Sequence, residues 1–169
     1  MLYLLDANVF IQGHKDYWPI DQFPEIWEWF CYVGRRGDVK ILRVNFDEVQ
    51  AGRKSGDPLL DWISAKNTQV DLLLDESANV KDVHVVRDCY GNDLSEDDWE
   101  QVGRDPFLIA YALADPANRT VVTFESRAPK KQGKNRRIPD ICTDVGVECI
   151  HPNQLTRILG FTTGWNKKP

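Results

Sequence analysis

Short runs of apolar residues alternate along the chain with longer segments in which apolar residues recur at the spacing of an α-helix. The short runs are typical of buried strands, which we predict at residues 3–5, 39–44, 120–124 and 147–150. The longer segments predict helices at residues 21–36, 57–66, 76–89, 95–101, 105–114, 138–145 and 153–159. Residues 72–74 fit either a strand or a helix. Because strands alternate with helices, the expected fold is a three-layer α/β/α domain with a central, mainly parallel sheet.

Several polar residues stand where helices are predicted to begin. Asn45 is suited to cap a helix after the second strand, and Glu48 stands three residues later, where it would complete a capping box. Asp6 and Asp105 are also good helix caps. These structural roles compete with any chemistry that is assigned to the same residues.

The composition is that of one globular domain. The chain has 169 residues, of which 42% are hydrophobic and 28% charged. We expect a single domain over residues 1–160 and a polar, loosely held tail over 161–169. The sequence has neither a run of about 18 apolar residues nor a basic leader, so it predicts neither a membrane span nor export. Its four cysteines form no CxxC pair and its three histidines no HExxH motif, which argues against zinc and favours reduced thiols in the cytoplasm.

Four acids are predicted to meet at one edge of the sheet. Asp6 and Glu125 directly follow predicted strands, whereas Glu48 and Asp105 lie in the first turns of helices. The carboxyl ends of parallel strands share one edge, where ligands bind in open α/β sheets. Ionised carboxylates gathered there must protonate, separate or bind a hard cation. Oxygen ligands without Cys or His suit Mg²⁺ or Mn²⁺, which assist phosphodiester cleavage.

A basic segment follows Glu125. Six of the eleven residues at 127–137 are cations and none is an acid, although the whole chain has a net charge of −5. The cations are Arg127, Lys130, Lys131, Lys134, Arg136 and Arg137. One interpretation is a solvated loop, and the other is a contact for the phosphates of RNA or DNA. Beside the predicted acids, the segment would hold a substrate backbone.

Aromatic residues are concentrated early in the chain, where seven of the 18 lie within residues 17–32. Core packing of the helix at 21–36 is one explanation. Trp27 and Trp29, however, are two residues apart and cannot share one helix face. We therefore expect one of them to be exposed and to indicate a surface for a partner.

Four segments resemble the motifs of PIN domains. LLDANVFI at residues 4–11 resembles the opening strand and acid, and RDPFLIAYALA at 104–114 the third-acid motif. TVVTFE at 120–125 resembles the fourth-acid strand, and VGVECI at 145–150 the closing strand. The sequence is similar to a prokaryotic branch near the VapC-type toxins. The resemblance covers nearly the whole chain and implies a PIN-like fold with Mg²⁺- or Mn²⁺-dependent ribonuclease activity.

The resemblance also implies roles for single residues. Asp6 matches the first metal-binding acid, and Asn8 matches the polar residue that orients it. Glu48 matches the second acid, with Asp47 beside it as a rival. Asp105 matches the third acid.

The fourth-acid position holds Glu125, where related domains commonly have Asp. The extra methylene group puts a second metal site in question. Thr123 matches the small hydroxyl residue of the same strand. Asp140 is suited equally to supply a further acid and to begin a helix.

The mechanism implied by this resemblance is metal-assisted hydrolysis. Asp6, Asp105 and Glu48 would hold an ion that activates a water molecule, which Glu125 would position. In-line attack would leave 5′-phosphate and 3′-hydroxyl ends. The implied partners are RNA, a homodimer mate and a cognate antitoxin protein, and DNA is an alternative substrate.

Other interpretations start from the same residues. Phosphatases of the haloacid dehalogenase type also begin with a strand and an Asp, but they need a second Asp where this chain has Asn8. A receiver-like signalling domain would need an Asp after the third strand and a later Lys, a pair that we do not find. A PIN-like module that binds RNA or a protein without cutting remains the non-enzymatic alternative.

Overall fold

The computed structural model describes residues 1–91 and 93–167, and it contains a five-stranded parallel sheet with helices on both faces. The strands are β1 (Leu2–Leu5), β2 (Val39–Leu42), β3 (Leu73–Leu74), β4 (Arg119–Val122) and β5 (Glu148–Ile150). The helices are α1 (Ala7–Gln12), α2 (Pro24–Arg35), α3 (Arg43–Gln50), α4 (Pro58–Ser64), α5 (Lys66–Leu72), α6 (Val80–Asp88), α7 (Glu96–Val102), α8 (Asp105–Leu113), α9 (Ile138–Val145) and α10 (Pro152–Ile158). The predicted three-layer α/β/α fold is confirmed.

The strand order is β3-β2-β1-β4-β5, so β1 is the central strand. The chain proceeds from β1 through β2 to β3 on one side, and then crosses to β4 and β5 on the other. Leu5 pairs with Val122 at the carboxyl ends of β1 and β4. The direction of strand order reverses between these two strands, and such switch points are the usual ligand sites of open α/β sheets.

Several element boundaries differ from the prediction. The second strand ends at Leu42 because α3 begins at Arg43. Leu72 ends α5, and the ambiguous segment at 72–74 contributes the two-residue strand β3. A helix that was not predicted, α1, follows β1 and continues into a π-helical turn over Gly13–Tyr17. Among the described residues, no helix is long and apolar enough to cross a membrane.

The sheet separates two apolar cores. Tyr3 and Leu5 of β1 belong to one core, to which α2 and α1 contribute most of the buried helical residues, followed by α3 and α4. Leu4 points to the opposite face, against Leu108 and its neighbours on α8. This alternation is the two-residue period of a strand that is buried on both faces. Both faces of β1 are therefore covered, and its carboxyl end is held rigidly.

The prediction that Trp27 or Trp29 would be exposed is wrong, since each side chain is only 2% exposed. The indole N–H of Trp27 donates to the carbonyl of Trp18 at 2.8 Å. Trp29 lies on a different face of α2 from Trp27, and its ring packs on Phe161 at a centroid distance of 5.2 Å. The two tryptophans of α2 are therefore packed within the chain itself, while Tyr32 of the same helix is 39% exposed.

The predicted loose tail is also held over its described part. Trp165 donates its indole N–H to the carbonyl of Glu25 at 3.0 Å and lies against Tyr32, with ring centroids 4.7 Å apart. Phe161 and Trp165 are both packed against the core. Lys168 and Pro169, which end the predicted tail, lie outside the described residues.

Candidate functional site

Asp6 lies at the switch point between β1 and β4. Its N–H donates to the carbonyl of Val122 at 3.0 Å, and its carboxylate accepts a 2.9 Å hydrogen bond from the Thr123 hydroxyl. Thr123 in turn accepts from the N–H of Glu125 at 3.1 Å. Asp6 is 1% exposed and occupies the cap position of α1. The Asp6 carboxylate is thus held by the residue that directly follows β4.

Asp105 is the first residue of α8, and Arg104 occupies the cap position before it. The interpretation of Asp105 as a helix cap is therefore wrong. In the described part of the chain, no donor or cation pairs with its carboxylate. Burial raises the pKa of Asp105 well above its ordinary range, and the charges of Asp6, Glu125 and Glu48 raise it further. The chain thus brings Asp105 within electrostatic reach of the other three predicted acids.

The pKa values of Asp6 and Glu48 are shifted in the same direction as that of Asp105. Burial raises the pKa of Asp6 to about 7; the hydrogen bond from Thr123 opposes this, and the charges of Glu48 and Glu125 add to it. Partial burial also raises the pKa of Glu48, against the opposing charge of Arg104. Ionisation of these carboxyl groups, gathered in one acidic region, therefore costs free energy.

Glu48 rather than Asp47 contributes to this region. The charge of Glu48 acts on both Asp6 and Asp105. Asp47 lies at the adjacent position along α3, about 100° around the helix from Glu48. The sequence left these two acids as rivals, and the structure favours Glu48.

The predicted capping box of Asn45 with Glu48 is wrong. Because α3 begins at Arg43, Asn45 lies inside the first turn instead of before it. Its side chain is fully buried, and neither its amide oxygen nor its amide nitrogen has a hydrogen-bond partner among the described residues. Local sequence favoured a cap at Asn45, and the short β2 strand moved the helix start by three residues.

Two residues near the acids were not predicted. The Tyr90 hydroxyl is buried without a hydrogen-bond partner among the described residues, and burial together with the charge of Asp105 raises its pKa. Arg104 precedes Asp105, and its charge lowers the pKa of Glu48. The position of Arg104 next to a predicted acid was a usable signal, whereas nothing in the sequence distinguishes Tyr90.

Glu125 lies at the rim of the acidic region, but its carboxylate is already bound. One oxygen accepts from Arg137 Nη1 at 2.6 Å, and the other accepts from the N–H of Ile138 at 2.8 Å. Its charge still acts on Asp6 and Asp105. Glu125 is thus close to the other acids while its oxygens bind the start of α9.

Much of the basic segment is paired internally and is not a solvated strip. Arg136 binds the Cys89 carbonyl at 2.7 Å and the Asp144 carboxylate at 2.6 Å, and Lys134 pairs with Asp98 at 2.7 Å. These contacts fasten the segment to α6, α7 and α9. Two predicted RNA-binding residues, Arg136 and Lys134, therefore have structural partners.

Asp140 fastens the beginning of the same segment. Its carboxylate accepts from the N–H of Ala128 at 2.7 Å and from Arg127 Nε at 3.3 Å. Asp140 is buried in the first turn of α9, where both of its oxygens are used. We therefore assign Asp140 an anchoring role in place of the suggested further acid.

The exposed cations of the segment face a cavity beside the acids. This cavity has a volume of about 420 Å³. Its lining combines polar side chains of α1 with the start of the basic segment: Asn8, Gln12, Glu125, Ser126, Arg127, Ala128, Lys131 and Arg137. Lys130 is exposed on the same segment. The cavity offers amide groups and cations to an anionic ligand directly beside the acidic region.

The donor set of the acidic region consists of carboxylate oxygens, which suits Mg²⁺ or Mn²⁺. Among the described residues, no three His, Cys, Asp or Glu side chains are close enough together to bind one ion as they are placed. Asp6 is turned to Thr123 and Glu125 to Arg137, whereas Asp105 keeps its carboxylate unpaired. The carboxylate oxygens of Asp6, Glu48 and Asp105 fit such an ion in their chemistry.

Comparison with known proteins adds a family but no activity. No curated protein matches the chain. A family described as a domain of unknown function, DUF4411, matches residues 3–163. This description neither supports nor opposes the resemblance to PIN domains. Because the match covers nearly the whole chain, the protein belongs to the DUF4411 family.

Proposed function

We propose that the protein is a divalent-metal-dependent ribonuclease of the PIN type. The observation that supports this most strongly is the acidic region at the switch point, where Asp6, Glu48 and Asp105 approach each other from three separate elements. Raised pKa values show that their ionisation is unfavourable in the absence of a cation. A bound divalent ion would offset the free energy that ionisation of these carboxyl groups costs, and it would supply a Lewis acid for catalysis.

Each residue has a role in this proposal. Asp6, Asp105 and Glu48 would hold Mg²⁺ or Mn²⁺, and Thr123 fixes the orientation of Asp6 through its 2.9 Å hydrogen bond. When bound, such an ion lowers the pKa of coordinated water and stabilises charge on a phosphate. Asn8 lines the adjoining cavity and is placed to contact the substrate.

The cavity beside the acids supports a nucleic acid as the substrate. Arg127, Lys131 and Arg137 line it and would contact backbone phosphates. We propose RNA over DNA on the basis of the resemblance, together with the cytoplasmic location expected from the cysteine pattern. The toxin assignment, the antitoxin partner and the homodimer rest on the resemblance alone, since the exposed tryptophan that favoured a partner surface is buried.

The test is cleavage of a labelled single-stranded RNA with Mg²⁺ or Mn²⁺, with and without EDTA, and with a DNA of the same sequence in parallel. Asp105→Asn should lower the rate by about 100-fold or more, because even outer partners of metal ligands commonly matter by 10- to 100-fold. Asp61→Asn, on an exposed position of α4, is the matched control and should cleave at the wild-type rate. Cleavage by Asp105→Asn at the wild-type rate, or cleavage that EDTA does not affect, would refute the proposal.

A second function is favoured by the state of Glu125. Because Arg137 and Ile138 use both oxygens of its carboxylate, one predicted acid is withdrawn from metal binding. A module that binds RNA without cutting it needs the cationic cavity but not the full acid set. Wild-type protein that binds the labelled RNA but leaves it intact with both metal ions would favour this alternative.

A further inference from the structure

Glu125 connects the chain after β4 to the start of α9 through hydrogen bonds to both oxygens of its carboxylate. Its side chain is 18% exposed, and its two oxygens bind two different groups, Arg137 Nη1 at 2.6 Å and the N–H of Ile138 at 2.8 Å. Its own N–H is tied to Thr123 at 3.1 Å. Backbone and carboxylate are thus fixed at once, and the carboxylate spans the gap between the end of β4 and the start of α9.

The binding of Ile138 offsets part of the charge of Glu125. Ile138 is the first residue of α9, and the exposed N–H groups at a helix start carry partial positive charge. A guanidinium has five N–H donors, of which Glu125 accepts one. The Arg137 side chain is 41% exposed and lines the cavity with Asn8 and Lys131. Arg137 therefore keeps donors that a ligand in the cavity can reach.

We infer that Glu125 is a positioning residue that aims Arg137 at a backbone phosphate of the RNA, and that it is not a ligand of the divalent ion. This inference rests on the proposed function. Arg137 then contacts the substrate, and Glu125 acts through Arg137. The length of the Glu side chain matters here, because a carboxylate that is one methylene group shorter would lose its hydrogen bond from either Arg137 or Ile138.

Glu125→Asp is the decisive variant, since it keeps the charge and the ligand chemistry and changes only the reach. Arg137→Gln removes the phosphate contact itself, and the double variant tests whether the two residues act as one unit. Glu28→Gln, on an exposed position of α2, is a control for the loss of a surface charge. Two properties are measured separately: the affinity for Mn²⁺ without RNA, by calorimetry, and the affinity for a short fluorescein-labelled single-stranded RNA in EDTA, at several salt concentrations.

We expect Glu125→Asp and Arg137→Gln each to weaken RNA binding by about fivefold, as for the loss of one phosphate contact, and Arg137→Gln to lower the slope of log affinity against log salt by about 0.7. The double variant should bind RNA as Arg137→Gln does. The Mn²⁺ affinity of Glu125→Asp should stay within about twofold of the wild type. A thermal melt of each variant checks that the fold is kept, and Arg137→Gln tests the phosphate contact even where Glu125→Asp is unstable.

The opposite pattern would overturn the inference. A metal ligand that is moved by one methylene group should change Mn²⁺ affinity by about tenfold or more while leaving RNA binding in EDTA intact. Additive losses of RNA affinity in the double variant would show that Glu125 does not act through Arg137. Wild-type protein that binds neither Mn²⁺ nor RNA would refute the proposed function and this inference together. If the wild type binds both and Glu125→Asp loses only its Mn²⁺ affinity, the inference alone is refuted.

Discussion

Replacement of Asp6 by Asn tests whether the acidic region costs folding free energy when no divalent cation is bound. Burial raises the pKa of Asp6 from 3.8 to about 7. The folded protein therefore holds this proton more tightly than the unfolded chain does. Between these two pH values the stability of the wild type must fall as the pH rises, and above pH 7 the full cost is present.

The size of the effect follows from the two pKa values. They differ by about 3, and a difference of one corresponds to about 1.4 kcal/mol, so the ionised Asp6 costs up to about 4 kcal/mol. Asn keeps the shape of Asp and can still accept the hydrogen bond from Thr123. Its amide hydrogens need new partners, which costs about 1 to 2 kcal/mol. Asp6→Asn should therefore raise the free energy of unfolding by about 2 kcal/mol at pH 8, while removing any metal-dependent activity.

The measurement is urea denaturation in EDTA at pH 5 and pH 8, with Asp61→Asn as the exposed control. The stabilisation by Asp6→Asn should nearly vanish at pH 5, where the wild-type carboxyl is mostly protonated in the folded state. Added Mn²⁺ should stabilise the wild type and leave Asp6→Asn unchanged. Equal destabilisation by Asp6→Asn at both pH values would refute the reasoning, because it would show that the buried carboxylate carries no ionisation cost.

Three further predictions concern packing and the anchoring of the basic segment. Gly34→Ala should destabilise the fold by about 2 kcal/mol in urea denaturation, because an added Cβ would lie 2.7 Å from the backbone carbonyl oxygen of Asp71, which cannot turn away as a side chain can; unchanged stability would mean that α2 and α5 can separate easily. Phe161→Ala should cost about 2 kcal/mol by the same measurement and shift tryptophan emission to the red, since it uncovers Trp29; unshifted emission would contradict the packing of the tail on α2. Arg136→Gln should cost about 2 kcal/mol and speed proteolysis within residues 127–137, because its bonds to a carboxylate and a carbonyl hold the segment; protease resistance equal to that of the wild type would show that the other anchors suffice.

The part of the site that was predictable is the part fixed by strand ends. Asp6 and Thr123 each follow an apolar run directly, and parallel pairing of β1 with β4 brings those two positions together. Asp105 was predictable from the strong apolar helix that it begins. For Asp6 and Asp105, local sequence and one rule of sheet topology are sufficient, whereas Thr123 was singled out only by the resemblance to PIN domains.

The pairing of the basic segment was not predictable in the same way. Six cations in eleven residues indicate a charged surface, but their partners come from α7 and α9, and from the chain just after α6. Only the packed fold decides that Asp98 reaches Lys134 and that Asp144 reaches Arg136. The prediction of an exposed tryptophan on α2 was wrong for the same reason, because Phe161, more than a hundred residues later in the chain, covers Trp29.

Two buried polar side chains near the acidic region also depart from the usual rules for helix caps and for buried hydrogen-bonding groups. Among the described residues, Asn45 is buried without a hydrogen-bond partner one helical turn before Glu48, and the Tyr90 hydroxyl, also without a partner there, is affected by the charge of Asp105. Each unpaired buried group costs about 1 to 3 kcal/mol, and the raised pKa values of the acids add to that cost. Selection for stability alone would remove such costs by simple apolar or amide substitutions. These unfavourable groups accumulate beside one switch point, as expected of a binding site that is maintained at a cost in folding stability. The acids are therefore stronger evidence for function than the basic segment is.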